Sequence, residues 1–334
     1  MSEIRDILVE QVERLLADRT SPALLRAAEA GTWPEALWAE AEALGLPLAM
    51  VPEDQGGAGL GWADAAAVWH VLGRHAAPIP LGESMAAAAL LSAAGIAAPA
   101  GFIGLGIGSE PVAWGRRASH LAVAPGGAVA LHAPTGWQQG RGLIAREPAD
   151  RPSLGPALTE GRLPAAHGPD AALLAGALLN AARIAGALEA VLDMTVDYAN
   201  TRKQFGRAIG GFQAVQQLLA RCAGEVAATA VAVTNAGRAA DRRGLAGAEF
   251  EIASAKVVAG EAAGIAADIV HQVHAAIGFT DEHPLHLHTR RLWGWRDGAG
   301  PERLWASRIG TVALARGGSN LWADLTSRDE ETAA

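Results

Sequence analysis

The sequence predicts a mostly α-helical chain with a small β domain at its centre. Apolar residues recur at helical spacing before residue 95 and after residue 169, and short apolar runs flank a Pro-Gly-Gly turn between these regions. We expect an N-terminal helical domain over 1–95, a shortened β domain over 96–168, a C-terminal four-helix bundle over 169–322 and a polar tail over 323–334.

The N-terminal region predicts five helices. A stripe of apolar residues marks the first, and Ser21-Pro22 supplies a cap and a first-turn proline for the second. Thr32-Trp33-Pro34 predicts the same start for the third helix. The segment 51–62 is rich in turn residues, and helices near 62–73 and 82–94 follow it.

The central region lacks helical periodicity. The apolar runs 121–124 and 128–131 flank Pro125-Gly126-Gly127, which is typical of a β-hairpin. The uncharged segment 85–108 contains five glycines and a proline, so we interpret it as the end of a buried helix, a loop and a strand, and expect no membrane span.

The C-terminal region predicts long helices that are apolar nearly all round. Opposite their apolar stripes stand mainly Ala and Gly instead of Lys and Glu. A helix of this kind is buried on several sides, so we expect the bundle to pack against another subunit as well as against itself.

The composition excludes several classes of protein. Half of the 334 residues are hydrophobic and 19% are charged, which excludes general disorder. The net charge of −8 argues against a nucleic-acid partner, which needs a basic surface. The single cysteine, Cys222, cannot form an internal disulfide, and the charged segment 1–16 lacks the apolar core of a signal peptide. We therefore expect a cytoplasmic protein.

A basic turn between two predicted bundle helices is the strongest candidate site. Arg202, Lys203 and Arg207 concentrate positive charge beside the exposed N–H groups of the next helix, which suits a phosphate or pyrophosphate, and Phe205 is available to stack on an aromatic ring. The same charges also suit a helix C-terminus that complements its own dipole. The spacing alone leaves both interpretations open.

Three segments add a family resemblance. The run YANTRKQFGRAIGGFQAVQ (198–216), the pair Ala255-Lys256 and the run VHQVHAAIGFTDEHPLHLHTRR (270–291) resemble the C-terminal bundle of the acyl-CoA dehydrogenase family. The order of helical domain, β domain and bundle also matches, so the resemblance covers essentially the whole chain. It is strong in the C-terminal half and weak in the middle.

The resemblance implies a flavin cofactor and an acyl-CoA substrate. In that family FAD lies between the β domain and the bundle of one subunit, while a neighbouring subunit binds the pyrophosphate and adenine of this FAD. A carboxylate removes the α-proton of the acyl thioester as the β-hydride passes to the flavin. The resemblance implies that the FAD-binding residues of this chain are Arg202, Gln204, Phe205, Gln213 and Gln272.

The sequence departs from the family pattern in three places. Ala299 stands where the usual glutamate base is expected, and Gly176-Ala177 occupies the position of the base in other relatives. Ala275-Ala276 replaces a Gly-Gly pair whose backbone normally approaches the cofactor closely. The flavin-side motif, Thr-Glu-Pro followed by Gly-Ser-Asp, is not found in the short β domain.

These departures predict a subunit that helps to hold FAD but lacks its own base. We expect either a homo-oligomer or an α2β2 assembly with a second acyl-CoA dehydrogenase-like subunit that carries the base, and we favour the α2β2 assembly. Some members of the family that are built in this way act on steroid-derived acyl-CoAs. Two alternatives remain: a flavin-free helical scaffold, and a self-sufficient flavoenzyme with Asp297 as base. The histidines of the run 283–288 match the family segment, so we expect no metal site.

Overall fold

A computed structural model describes residues 3–329 and has the predicted architecture: an N-terminal group of helices, a small β region and a C-terminal helical bundle. The helices of the N-terminal group are α1 Glu3–Arg19, α2 Pro22–Glu29, α3 Glu35–Ala43, α4 Trp62–Arg74 and α5 Leu81–Ala93. Five helices were predicted here, and their existence is confirmed. Residues 330–334 of the predicted polar tail lie outside the described residues.

The N-terminus of α2 is capped by a side chain, whereas that of α3 is not. The Ser21 hydroxyl accepts a hydrogen bond from the Leu24 N–H at 3.2 Å, so the predicted cap of α2 is confirmed. The predicted start of α3 is wrong, because Pro34 itself occupies the N-cap position and no side chain caps the helix. Proline has no N–H, and Thr32 lies too far upstream to serve the first turn.

The β region contains two small sheets. Its strands are β1 Ile103–Gly106, β2 Val112–Ala113, β3 His120–Val123, β4 Ala128–His132, β5 Pro134–Gln138, β6 Ala149–Leu154 and β7 Thr159–Arg162. One sheet has the order β1-β3-β4-β7, in which β1 runs parallel to β3, and the other has the order β2-β6-β5. The predicted hairpin is the antiparallel pair β3–β4.

The C-terminal region forms the bundle. Its elements are α6 Ala171–Thr201, the two-residue strands β8 Lys203–Gln204 and β9 Arg207–Ala208, α7 Gln213–Gly247, α8 Glu249–His274, α9 Leu285–Asp297, α10 Glu302–Arg316 and α11 Leu321–Thr326. Helix α6 is long and apolar enough to cross a membrane, but 89% of its most apolar window is buried inside the protein. It is therefore the central core helix of the bundle.

One continuous core joins the three regions. Buried residues of the N-terminal helices, the larger sheet and the bundle pack together, with members including Trp69, Leu90, Ile103, Leu178 and Ile252. Helices α4 and α6 approach most closely at two glycines, Gly73 and Gly186. A β-carbon built on Gly186 would lie 1.8 Å from the carbonyl oxygen of His70, so this crossing requires glycine.

Candidate functional site

The basic turn after α6 is a tight hairpin. Strands β8 and β9 are joined by Phe205 and Gly206, whose φ angles are +51° and +79°. Two successive positive φ values are typical of the turns that fit the twist of a two-residue hairpin. The turn holds the Phe205 side chain 92% exposed, and its ring lies nearly perpendicular to that of Phe212 at a centroid distance of 6.1 Å.

A cavity of about 590 Å³ opens beside this hairpin, between the end of α6, the start of α7 and the end of α8. Four of the five predicted cofactor-binding residues line it: Arg202, Gln204, Phe205 and Gln272. Gln213 does not line the cavity but lies exposed at the first position of α7. We call this cavity the hairpin pocket.

The hairpin pocket is electropositive. Arg202 is the single charged residue in its lining, and within residues 3–329 no carboxylate pairs with the Arg202 guanidinium. The Arg207 guanidinium lies 4.1 Å from the centroid of the Phe212 ring. An unpaired guanidinium, two amides and an exposed aromatic ring suit a ligand that carries phosphate and an aromatic base.

The far wall of the pocket includes Ala275 and Ala276, and both residues are exposed. Ala275 has φ +54° and ψ −141°, a conformation that favours glycine. The backbone here keeps a glycine-type conformation although the side chain is alanine.

His274 and Tyr198 form the floor of the pocket. The two rings stack with centroids 4.4 Å apart, and the His274 Nδ1 donates to the carbonyl oxygen of Val270 at 2.8 Å. Burial lowers the pKa of His274 to about 4, so this imidazole is neutral near pH 7. The floor therefore adds an aromatic surface and no charge.

A second cavity, of about 400 Å³, lies between the β region and the bundle, and we call it the interdomain cavity. Most of its lining is apolar, but it contains a buried ion pair in which the Arg183 Nη1 donates to the Glu83 Oε1 at 2.6 Å. The Arg183 guanidinium also lies 5.7 Å from the Trp295 ring centroid. Both charges of this pair are thus satisfied within the chain.

Gly176 and Ala299 are the positions at which the resemblance implies a base, and Gly176 lines this cavity. A β-carbon built on Gly176 would lie 3.2 Å from the Ala299 Cβ, so the two positions face each other. It would also lie 2.4 Å from the Ile107 Cδ1, so Ile107 fills the space beside Gly176. Neither position supplies a carboxylate to the cavity.

Asp297, the last residue of α9, also lines the interdomain cavity, but it is half exposed to solvent. Its side chain is 51% exposed, and its Oδ1 accepts a hydrogen bond from the Arg296 Nε at 3.1 Å. Its carboxylate is therefore already paired with a neighbouring guanidinium.

Sequence reasoning missed a carboxyl group in the same cavity. Ser109-Glu110-Pro111 follows β1 and brings the Glu110 carboxyl group to the lining of the cavity. The Glu110 Oε2 accepts a hydrogen bond from the Ala299 N–H at 3.1 Å. Burial raises the pKa of Glu110, while backbone hydrogen bonds and the charge of Lys256 oppose the rise.

Lys256 fixes the same segment from the other side. Its buried Nζ donates to the carbonyl oxygens of Trp295 at 3.1 Å and Arg296 at 2.5 Å, which belong to the last turn of α9. Burial lowers the pKa of Lys256 to about 8. Glu110 and Lys256 therefore hold the 295–300 segment in place by backbone contacts.

The histidine run spans the start of α9. Its later histidines, His286 and His288, lie in the first turn of α9, and His283 lies just before it. Among residues 3–329, no group of three or more His, Cys, Asp or Glu side chains has the geometry to hold a metal ion.

Comparison with known proteins decides the family. The family models described as "Acyl-CoA dehydrogenase, N-terminal domain" and "Acyl-CoA dehydrogenase, C-terminal domain" match residues 2–107 and 170–313. The chain belongs to the acyl-CoA dehydrogenase family. This acyl-CoA dehydrogenase homologue is 34% identical over 306 residues to the acyl-CoA dehydrogenase IpdE2 of Mycobacterium tuberculosis, covering 87% of this chain and 92% of that protein.

Solved structures share the fold. The ChsE4-ChsE5 complex from Mycobacterium tuberculosis matches with a TM-score of 0.78 and 24% identity, covering 95% of this chain and 98% of the matched chain. The Tcur3481-Tcur3483 steroid ACAD G363A variant matches with a TM-score of 0.80 and 24% identity, covering 94% and 98%. The mostly α fold of the acyl-CoA dehydrogenases is thereby confirmed, and the family is one of flavin-dependent oxidoreductases.

Proposed function

We propose that this chain is the base-free subunit of a heteromeric, FAD-dependent acyl-CoA dehydrogenase. In the proposed assembly its hairpin pocket binds the pyrophosphate and adenine of an FAD whose flavin ring lies on a partner subunit. The partner also carries the catalytic carboxylate. The observation that carries the proposal is the contrast between a pocket that gathers Arg202, Gln204, Phe205 and Gln272 and a cavity without a base.

The chemistry of the hairpin pocket fits the nucleotide part of FAD. The Arg202 guanidinium offers a planar set of N–H donors to phosphate oxygens and has no competing carboxylate among the described residues. The amides of Gln204 and Gln272 are able both to donate to and to accept from ribose and adenine. The exposed ring of Phe205 provides an apolar face for a base.

The lack of a base in this chain supports a reaction that needs residues of two subunits. The bound flavin supplies the hydride acceptor of the family reaction, and a carboxylate must take the α-proton of the acyl thioester. Ala299 and Gly176 carry none, and the Asp297 side chain is 51% exposed. The other carboxylates of the cavity already have partners: Glu83 pairs with Arg183, Glu147 with Arg291, and Glu110 accepts from the Ala299 N–H. We therefore assign the base to the partner subunit.

Two solved structures of the same fold support a heteromer. The ChsE4-ChsE5 complex and the Tcur3481-Tcur3483 steroid ACAD each have two components in their names. The second name also supports a steroid-derived acyl-CoA as the substrate class for this chain.

Co-expression tests the proposal. The chain is purified alone and together with the acyl-CoA dehydrogenase-type chain encoded beside it, and absorbance near 450 nm and dye-coupled dehydrogenase activity are measured. We expect a yellow, active complex and an inactive single chain. Full turnover by the single chain would refute the proposal, and a colourless complex would favour the scaffold alternative.

A further inference from the structure

The interdomain cavity has the size of a small-molecule site and reaches the surface of the protein. Its volume of about 400 Å³ falls within the range of about 300–1,000 Å³ that is usual for such sites. Two of its lining residues are open to solvent, since Leu143 is 100% exposed and the Asp297 side chain is 51% exposed. A ligand is therefore able to enter the cavity beside these two residues.

The wall of the cavity is mainly apolar. Buried side chains from the N-terminal group, the β region and the bundle contribute to it, namely Ile79, Leu105, Trp114, Leu179 and Trp295. The two indole rings add large apolar surfaces from opposite regions of the chain. Apolar surface of a ligand would therefore be stabilised by leaving water for this cavity.

The charged side chains of the lining are already paired within the chain. The lining holds one guanidinium and four carboxylates, and each of them hydrogen-bonds to another group of the protein: Arg183 with Glu83, Glu147 with Arg291, Asp297 with Arg296, and Glu110 with the Ala299 N–H. An ionic ligand would lose its hydration without gaining an unpaired opposite charge from these residues. The lining therefore favours an uncharged ligand.

A polar side chain in the lining is available to a ligand. Asn180 is half-buried on α6, and its amide has no hydrogen-bond partner in the part of the chain that the structure describes. A β-carbon built on Gly298, another lining residue, would lie 3.0 Å from the Asn180 Nδ2, which places the amide at the wall of the cavity. A single amide matches one carbonyl or hydroxyl group, whereas the polar edge of a flavin ring carries several such groups.

We propose that the interdomain cavity binds an uncharged, mainly apolar small molecule that carries one carbonyl or hydroxyl group. The Asn180 amide hydrogen-bonds to that group, and the apolar wall surrounds the rest of the molecule. Gly176 and Ala299 supply no carboxylate, so the ligand is held without proton abstraction by either position. The FAD of the proposed assembly binds at the hairpin pocket, so this second site does not depend on the proposed function.

Three probes test the chemical class of the ligand. Binding of 1-adamantyl methyl ketone, adamantane-1-carboxylate and lumiflavin to the purified full-length chain is measured by isothermal titration calorimetry at pH 7.5. We expect the ketone to bind with a dissociation constant below about 1 mM. The carboxylate should bind at least about 10-fold more weakly, because its charge gains no partner in the cavity. Lumiflavin should also bind at least about 10-fold more weakly than the ketone, because most of its polar groups stay unpaired.

Ala113→Phe shows whether the ketone binds in this cavity. Ala113 is half-buried on β2 and lines the cavity, so a phenyl ring there takes up part of its volume and should weaken ketone binding about 10-fold or more. Ala130→Phe is the matched control, because Ala130 is also a half-buried strand alanine but lies on β4, outside the lining. This control should bind the ketone with the affinity of the wild type.

Asn180→Leu tests the hydrogen bond and keeps the test decisive if Ala113→Phe does not fold, which circular dichroism and thermal melting show. Leucine nearly preserves the side-chain volume but removes the amide, so the ketone should bind about 3- to 10-fold more weakly. The proposal would be overturned if the ketone did not bind, if the carboxylate or lumiflavin bound more tightly than the ketone, or if the folded Ala113→Phe and Asn180→Leu variants kept the affinity of the wild type.

Discussion

Replacing Ala275 with glycine should stabilise the protein. Ala275 ends α8 with φ +54° and ψ −141°, and its side chain is exposed in the wall of the hairpin pocket. A non-glycine residue in such a conformation costs about 1–3 kcal/mol. Glycine removes that strain but loses about 0.5–1 kcal/mol of extra chain entropy on folding. We expect the free energy of unfolding to rise by about 1 kcal/mol.

The neighbouring residue provides the control. Ala276 is equally exposed but has no positive φ, so Ala276→Gly relieves no strain and should lower the free energy of unfolding by about 0.5–1 kcal/mol. Both variants are compared with the wild type by urea denaturation and by thermal melting, where Ala275→Gly should raise the Tm by about 2 °C. Equal destabilisation by the two substitutions would refute the assignment of strain to Ala275.

Two other predictions concern stability. Burial lowers the pKa of His274 to about 4 in the folded protein, so between pH 6.5 and pH 4 the unfolded chain binds a proton that the folded chain does not, and stability falls as the pH falls. This group alone should lower the free energy of unfolding by about 2 kcal/mol between pH 8 and pH 5. In urea titrations at both pH values, the His274→Phe variant should lose correspondingly less stability than the wild type. A loss equal to that of the wild type would contradict the prediction. Gly186→Ala should lower the free energy of unfolding by about 3 kcal/mol or more, because the new β-carbon would lie 1.8 Å from the His70 carbonyl oxygen. Gly224→Ala should instead raise the free energy of unfolding by up to about 1 kcal/mol, because a β-carbon built there meets no neighbouring side chain or element within 4 Å. Equal effects of the two substitutions would argue against the close α4–α6 crossing.

The sequence predicted the helices and the principal hairpin because their signals are local. Apolar periodicity placed both ends of α4 and α5 within one residue and predicted long helices in the bundle, and Pro125-Gly126-Gly127 correctly indicated the β3–β4 turn. The start of α3 was wrong because Thr32 and Pro34 match a capping pattern that the backbone does not adopt. Local patterns do not report which residue takes the N-cap conformation.

The hairpin pocket was partly predictable and the interdomain cavity was not. Arg202, Gln204 and Phe205 are close in sequence, so one motif reveals them, whereas Gln213 carries the right side chain but lies outside the pocket lining. Glu110 approaches the Ala299 N–H only through packing of the β region on the bundle. No sequence spacing encodes that contact.

In the proposed assembly, Arg202 holds an FAD that is shared with another subunit. The most direct measurement is the FAD dissociation constant of the co-purified complex, determined by flavin fluorescence during dilution, for Arg202→Ala and for the control Arg162→Ala. Arg162 is exposed on β7 and lies outside the pocket lining. Loss of charge-assisted hydrogen bonds to phosphate should weaken binding about 10- to 100-fold for Arg202→Ala. Arg162→Ala should bind FAD normally; equal affinity in both variants and the wild type would contradict the claim.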